Sequence, residues 1–146
     1  LSGQSLQEIR RAVATLREES FDLNTVIARL IAPLKSNSNL TVTNQLNLPK
    51  LPLQTRHQLY CIIKEGLENI RRHAQASAIS LRSQTAPTDI VIHIEDNGTG
   101  FNTTLPATGF GLRGMRERSQ SIGGAMQIDS TPGKGTHIQI TVPLSD

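Results

Sequence analysis

Glu65 and Asn69 stand four residues apart in an apolar helical pattern, with Arg72 and His73 just beyond them. Three glycine-rich turns follow in order: Asp96-x-Gly98-x-Gly100, Gly109-x-Gly111-x-x-Gly114 and Gly133-x-Gly135-Thr136. A carboxylate, an amide and two nitrogen bases on one helix strip can hold a hydrated magnesium ion, a water or hydroxyl nucleophile, and phosphate oxygens. Magnesium keeps most of its waters, so one Asn oxygen plus the phosphates suffices. The glycine turns let backbone close tightly on a ligand. Together these blocks are what a chain needs to enclose a nucleotide without a P-loop.

Each block also has an ordinary reading. The Glu-Asn pair could be a solvated helix flank, Asn97-Gly98 an ordinary hairpin turn, and Gly133-Gly135 a turn between strands. Gly109, Gly111 and Gly114 fit G-x-G-x-x-G, yet a dinucleotide fingerprint needs a hydrophobic strand immediately before it, and here the approach is Asn102 to Thr108. A protein-kinase glycine loop fails as well, because no catalytic-loop or Asp-Phe-Gly signature follows. What survives is a set of glycines leading into a helix N-terminus, where free amides and the helix dipole favour phosphate.

The elements that position these residues are legible from apolar spacing. Leu6, Ile9, Val13 and Leu16 mark a helix over 1–19 whose stripe wants a partner. A second helix is expected over 21–35, capped by Asp22 and stopped near Pro33. Leu40 to Leu48 alternates as a half-buried strand, and a long helix is expected from Leu53 to Ala74. On its wheel Leu59, Ile62, Ile63, Leu67 and Ile70 form the core stripe, Lys64, Glu68 and Arg71 face water, and Glu65, Asn69, Arg72 and His73 share the strip between. Ile79 and Leu81, then Ile90, Ile92 and Ile94, give two strands around Thr-Ala-Pro-Thr-Asp. Continuing the second strand's parity puts Asp96 on its covered face, where a charge needs a partner such as an exocyclic amino group. A helix over Leu112 to Ile122 and two strands, Met126–Ile128 and Ile138–Val142, complete the set. All strands alternate, so the expected fold is an α/β two-layer sandwich: a mixed sheet of about five strands covered on one face by helices and wet on the other.

At 146 residues the chain has room for one sizeable core. Its net charge of +3 is scattered and does not call for nucleic acid. The single cysteine, Cys61, excludes an internal disulfide and suits a reducing compartment; its place in a helical pattern predicts a buried thiol. No apolar run approaches the ~18 residues of a membrane span, and no signal peptide opens the chain, which reads as a segment of something longer.

The four blocks, in this order, resemble the N, G1, G2 and G3 boxes of the GHKL ATPase superfamily, which includes gyrase, heat-shock chaperones, mismatch-repair ATPases and sensor histidine kinases. Ile62 to Ala74 looks like the E-x-x-x-N-x-x-[KR]-H-A helix of nitrate-sensor-type histidine kinases. Gly109 to Arg118 and a short lid, Asn102 to Thr108, fit the same subfamily, and Glu8-Ile-Arg-Arg is similar to the last turns of its dimerisation helices. The resemblance implies a Bergerat fold, with 1–20 ending a dimerisation or linker helix and 21–146 forming the ATP-binding catalytic domain. It makes Asn69 the Mg2+ ligand and Glu65 the residue that orients or deprotonates an attacking imidazole. Arg72 and His73 would contact phosphate, Asp96 the adenine amino group beside Gly98 and Gly100, and Thr136 the adenine side. Gly109, Gly111, Leu112 and Gly114 would form the lid hinge and phosphate cradle. The implied partners are ATP or ADP, the histidine-bearing dimerisation domain of the same kinase and a response regulator, with no nucleic acid or direct membrane contact, in the cytoplasm. None of His57, His73, His93 or His137 sits in the acceptor context, so the expectation is ATP binding without self-phosphorylation on histidine. A serine/threonine anti-sigma kinase and a non-catalytic nucleotide-gated module are the alternatives.

Overall fold

The computed structural model describes residues 22–36, 39–100 and 111–144, together with 6, 8 and 9, which are helical; most of the expected first helix lies outside them. Helix α1 spans Leu23–Lys35. Asp22 caps it, its carboxylate accepting from the Asn24 amide at 3.2 Å and the Thr25 hydroxyl at 3.0 Å. Leu23, Val26, Ile27 and Ile31 recur on one face and are buried. Pro33 does not stop this helix but sits in its last turn. There a missing N–H forfeits one bond, and Ser36 closes the end through its amide on the Ala32 carbonyl (3.3 Å) and its hydroxyl on the Pro33 carbonyl (2.7 Å).

Strand β1, Thr41–Gln45, is shorter than the expected Leu40–Leu48. The Asn44 side chain accepts from the Leu46 amide at 3.1 Å and turns the chain out of the sheet. Leu48 still reaches the core, because the Asn24 amide group bonds both its N–H (2.9 Å) and its carbonyl (3.0 Å), doing what a neighbouring strand would.

Helix α2, Leu53–Asn69, begins at Pro52 without a side-chain cap. A cap is worth ~1 kcal/mol, whereas each fully buried Leu or Ile contributes ~1.5–3 kcal/mol, so the buried stripe Leu59, Ile62, Ile63 and Leu67 decides the matter. The expected helix to Ala74 is corrected in its last turn: Ile70–Ala74 is π-helical and ends at Gln75 with φ 50°. Cys61, expected to be buried, is only half-buried, since it lies one position off the stripe.

Strands β2 (Ala78–Thr85), β3 (Asp89–Asp96), β4 (Ala125–Ser130) and β5 (Thr136–Pro143), with helix α3 (Leu112–Ser121) before β4, complete the domain. The sheet order is β1-β2-β3-β5-β4, with β1 parallel to β2 and the other pairs antiparallel. Ile79, Leu81, Ile90, Ile92, Ile94, Ile138, Ile140 and Val142 point to the helices and are buried with them. The mixed five-stranded, one-face-covered sheet is the architecture the alternation predicts. No described helix is long and apolar enough to cross a membrane.

Candidate nucleotide site

Glu65 and Asn69 project from the end of α2 because Gly66, between them, carries no side chain into the core. A methyl group there would lie 3.3 Å from Ile94 Cδ1 and 3.5 Å from Met115 Cε, so the helix packs closely on both β3 and α3. Gly111 opens α3 with φ 62°, a conformation that favours glycine, and the Glu65 carboxylate occupies the space where a Cβ on it would lie. The Met115 amide donates to the Gly111 carbonyl at 3.0 Å and starts the helix, which has no side-chain cap. Asn69 Nδ2 lies 4.0 Å from Met115 Sδ, which aims the amide oxygen away from the sulfur. Gly114 faces open space and Leu112 is half-buried against the core. A cavity of about 590 Å³ lies here, with Tyr60, Cys61, Lys64, Glu65, Met115 and Arg118 in its wall.

Asp96 closes β3, opposite Ile79 on β2 and Thr136 on β5. Its carboxylate accepts from the Gly98 amide at 2.7 Å. Burial pushes this carboxyl above the ordinary aspartate range, and the Gly98 and Thr136 amides pull the other way. Strand parity therefore delivers a half-buried carboxylate to the covered face, as expected.

The surrounding backbone is latched. Gly135, φ 78°, packs against the Asp96 carbonyl so closely that a Cβ would overlap it, and Gly100, φ 64°, packs the same way on Thr131. The Gly133 amide donates to the Thr99 carbonyl at 2.6 Å. The Ser130 hydroxyl donates to the Gly135 carbonyl at 3.1 Å and lies 2.9 Å from Thr136 Oγ1. Asn97-Gly98 is not a hairpin turn: Asn97 accepts from the Ser77 and Ala78 amides, both at 2.9 Å, and ties the end of β3 to the start of β2. Gly133 is a turn glycine, with φ 83° and open space where a Cβ would lie.

The structure thus brings the sequence-predicted residues into two groups, Glu65, Asn69, Gly111, Leu112 and Gly114 at the helix ends, and Asp96, Gly98, Gly100 and Thr136 at the strand ends. Arg72 lies in the π turn and pairs with Glu68. A π turn rotates less per residue than an α turn, and Arg72 Nε sits 3.4 Å from Glu68, with the side chain 57% exposed. The backbone of His73 is in that turn, while its side chain and all of Gly109 lie outside the described residues. Sequence reasoning missed Gly66, Met115, Asn97, Ser130 and the structural role of Gly135. Gly66 had a signal, a lone glycine inside a helix.

The donor chemistry fits magnesium: Asn69 offers one hard amide oxygen, with a carboxylate one turn away. A sheet with helices on one face, a carboxylate at a strand end and a helix N-terminus are the features of a nucleotide-binding α/β sandwich.

Residues 54–146 match the family of histidine kinase-, DNA gyrase B- and HSP90-like ATPases, and the chain belongs to it. It is 30% identical over 147 aligned positions to the signal transduction histidine-protein kinase/phosphatase DegS of Brevibacillus brevis, covering 97% of this chain and 38% of that protein. Against the nitrate/nitrite sensor protein NarQ of Escherichia coli it is 30% identical, covering 95% of this chain and 26% of the relative. The nitrate-sensor resemblance thus holds as one among several close relatives. The solved blue-light activated histidine kinase of Erythrobacter litoralis superposes with TM-score 0.77 at 22% identity, over 98% of this chain and 50% of that one, and shares the fold. The domain is the ATP-binding domain of the sensor histidine kinase type, and the chain spans well under half the length of the curated relatives named here.

Proposed function

We propose that this domain holds MgATP between the ends of α2 and β3 and transfers the γ-phosphate to a histidine on a dimerisation helix, for relay to a response regulator aspartate. The observation that carries the reading is the placement of Glu65 and Asn69 beside the uncapped start of α3, on the sheet face that also carries Asp96. Asp96 accepts from the adenine amino group; Gly98 and Gly100 shape that wall and Thr136 backs it. The α3 amides at Gly111, Leu112 and Gly114, with Gly109, cradle phosphate oxygens, and Arg72 and His73 add contacts once Arg72 leaves Glu68.

Magnesium, held by Asn69, would supply charge neutralisation across the phosphates. Glu65 orients the incoming imidazole and takes its proton, as the nitrogen–phosphorus bond forms and the bond to the bridging oxygen breaks, releasing ADP. The cavity beside Glu65 gives the acceptor its approach. In this reading 1–20 end the dimerisation helix, 21–146 form the catalytic unit, and the domain works in the cytoplasm.

The test is transfer of labelled γ-phosphate in trans to a histidine-bearing dimerisation-helix fragment, beside the same fragment with serine in place of the histidine. Label on the histidine fragment alone, reduced by Glu65→Gln with ATP binding intact, is expected. Label on the serine fragment, or on neither while ATP binds, overturns the reading.

A further inference from the structure

The sheet face turned away from the helices carries a second constellation, unconnected with the nucleotide. His93 on β3 points to that face, yet it is buried to 7% exposure, an uncommon state for a polar ring on the wet side of a sheet. Its Nδ1 lies 2.8 Å from Nε2 of His137 on β5, with the rings inclined by 23° and their centroids 5.0 Å apart. At that separation the two nitrogens share one proton, so at least one lone pair is free of its own hydrogen. Glu95 sits directly opposite His137 in the β3–β5 register, and its Oε1 is 3.7 Å from the same Nε2.

We propose that His93, Glu95 and His137 form a site for a first-row transition ion of the Zn2+ type, back to back with the adenine position. One nitrogen from each histidine and one carboxylate oxygen lie within 4.8 Å of one another, the only such group of three among the described residues. Tetrahedral zinc with ligands at ~2.0–2.1 Å places them ~3.3 Å apart. The imidazole pair opens and the His137–Glu95 pair closes by a few tenths of an ångström, and the widest separation in the group, up to 4.8 Å, closes by about 1.5 Å through side-chain rotation. The ion replaces the shared proton and bridges β3 to β5.

Two neighbours flank the three ligands. Arg82 on β2 holds Glu95 Oε1 from Nη2 at 3.1 Å and Nε at 3.3 Å, orienting the carboxylate as outer partners of metal ligands do. Asp129 on β4 is the register neighbour of His137 on its other side, exposed on the same face, and offers an oxygen for a fourth position. Two imidazoles with one or two carboxylates suit zinc, copper or nickel far better than magnesium or calcium. The site therefore does not compete with the nucleotide's cation.

The test is calorimetric titration of the 146-residue chain with ZnCl2 alone, with Co2+ absorption as a spectroscopic readout of coordination. His137→Gln and Glu95→Gln, both at half-exposed positions that keep the strands paired, are compared with His57→Gln, which removes a histidine on α2. One equivalent of Zn2+ bound by wild type and by His57→Gln, with affinity reduced more than ~10-fold in each of the other two variants, is expected. Absence of one-to-one uptake by wild type overturns the site. So does binding that survives in His137→Gln or is lost only in His57→Gln.

Discussion

Asp96 and Thr136 are carried by two central strands, whereas Glu65 and Asn69 are carried by the last turns of a helix that changes character just beyond them. At the strand end the contacts run largely through backbone: Gly135 and Gly100 press on carbonyls, and Asn97 and Ser130 tie neighbouring segments together. At the helix end the contacts are made by side chains, Glu65 over the Gly111 backbone and Asn69 toward Met115, and Arg72 is held by the Glu68 carboxylate. Recognition of a flat base needs a wall that does not move. In the proposed function the strand end meets the base and the helix end meets the phosphates, where groups already aimed at the developing charge stabilise it.

The comparison breaks most visibly at the strand end. Gly135→Ala puts a methyl group against the Asp96 carbonyl at φ 78°, and a loss of ~2–4 kcal/mol in stability is expected by urea unfolding. At the helix end the same scale of damage should fall on chemistry. Asn69→Ala is expected to leave unfolding within ~1 kcal/mol of wild type while lowering transfer in trans roughly 100-fold, with the magnesium dependence of ATP binding flattened. A variant that binds MgATP and transfers phosphate normally would remove Asn69 from the site. The smallest effect sharpens the picture. Arg71, and to a lesser extent Arg72, hold Glu68 below the ordinary carboxylate range through exposed contacts, so Glu68→Gln should leave the melting temperature nearly unchanged. Arg72 is then released, and ATP affinity measured at low salt should rise about two-fold, an increase that added salt erases.

Much of this was readable before any coordinates. The apolar stripe of α2 and the parity of Ile90, Ile92 and Ile94 put Glu65, Asn69 and Asp96 where they stand, because burial dominates and its period is in the sequence. The π turn was not readable, since Ile-Arg-Arg-His-Ala carries no local mark that distinguishes five-residue from four-residue bonding. The end of β1 and the role of Asn97 depend on side-chain amides bonding backbone, an option any Asn has and few use. Gly135 looked like a turn residue. Its contact with Asp96 exists only once β3 and β5 are paired.

The most direct test of the account is calorimetric binding of MgATP by wild type and by Asp96→Asn. Burial raises the Asp96 pKa, so the folded chain holds this proton more tightly than the unfolded chain. Stability of the unliganded fold then falls as pH rises through the carboxyl's range, and at neutral pH the charge is a cost. Asp96→Asn should accordingly keep or raise the melting temperature while weakening ATP by at least ~10-fold, the loss of one charge-assisted hydrogen bond. Wild-type affinity should decline as pH is lowered through that raised range, with no such step in the variant. A single ATP site in wild type, weakened in a variant that is no less stable, is the predicted result. Equal affinity in the two proteins would contradict the placement of adenine at Asp96.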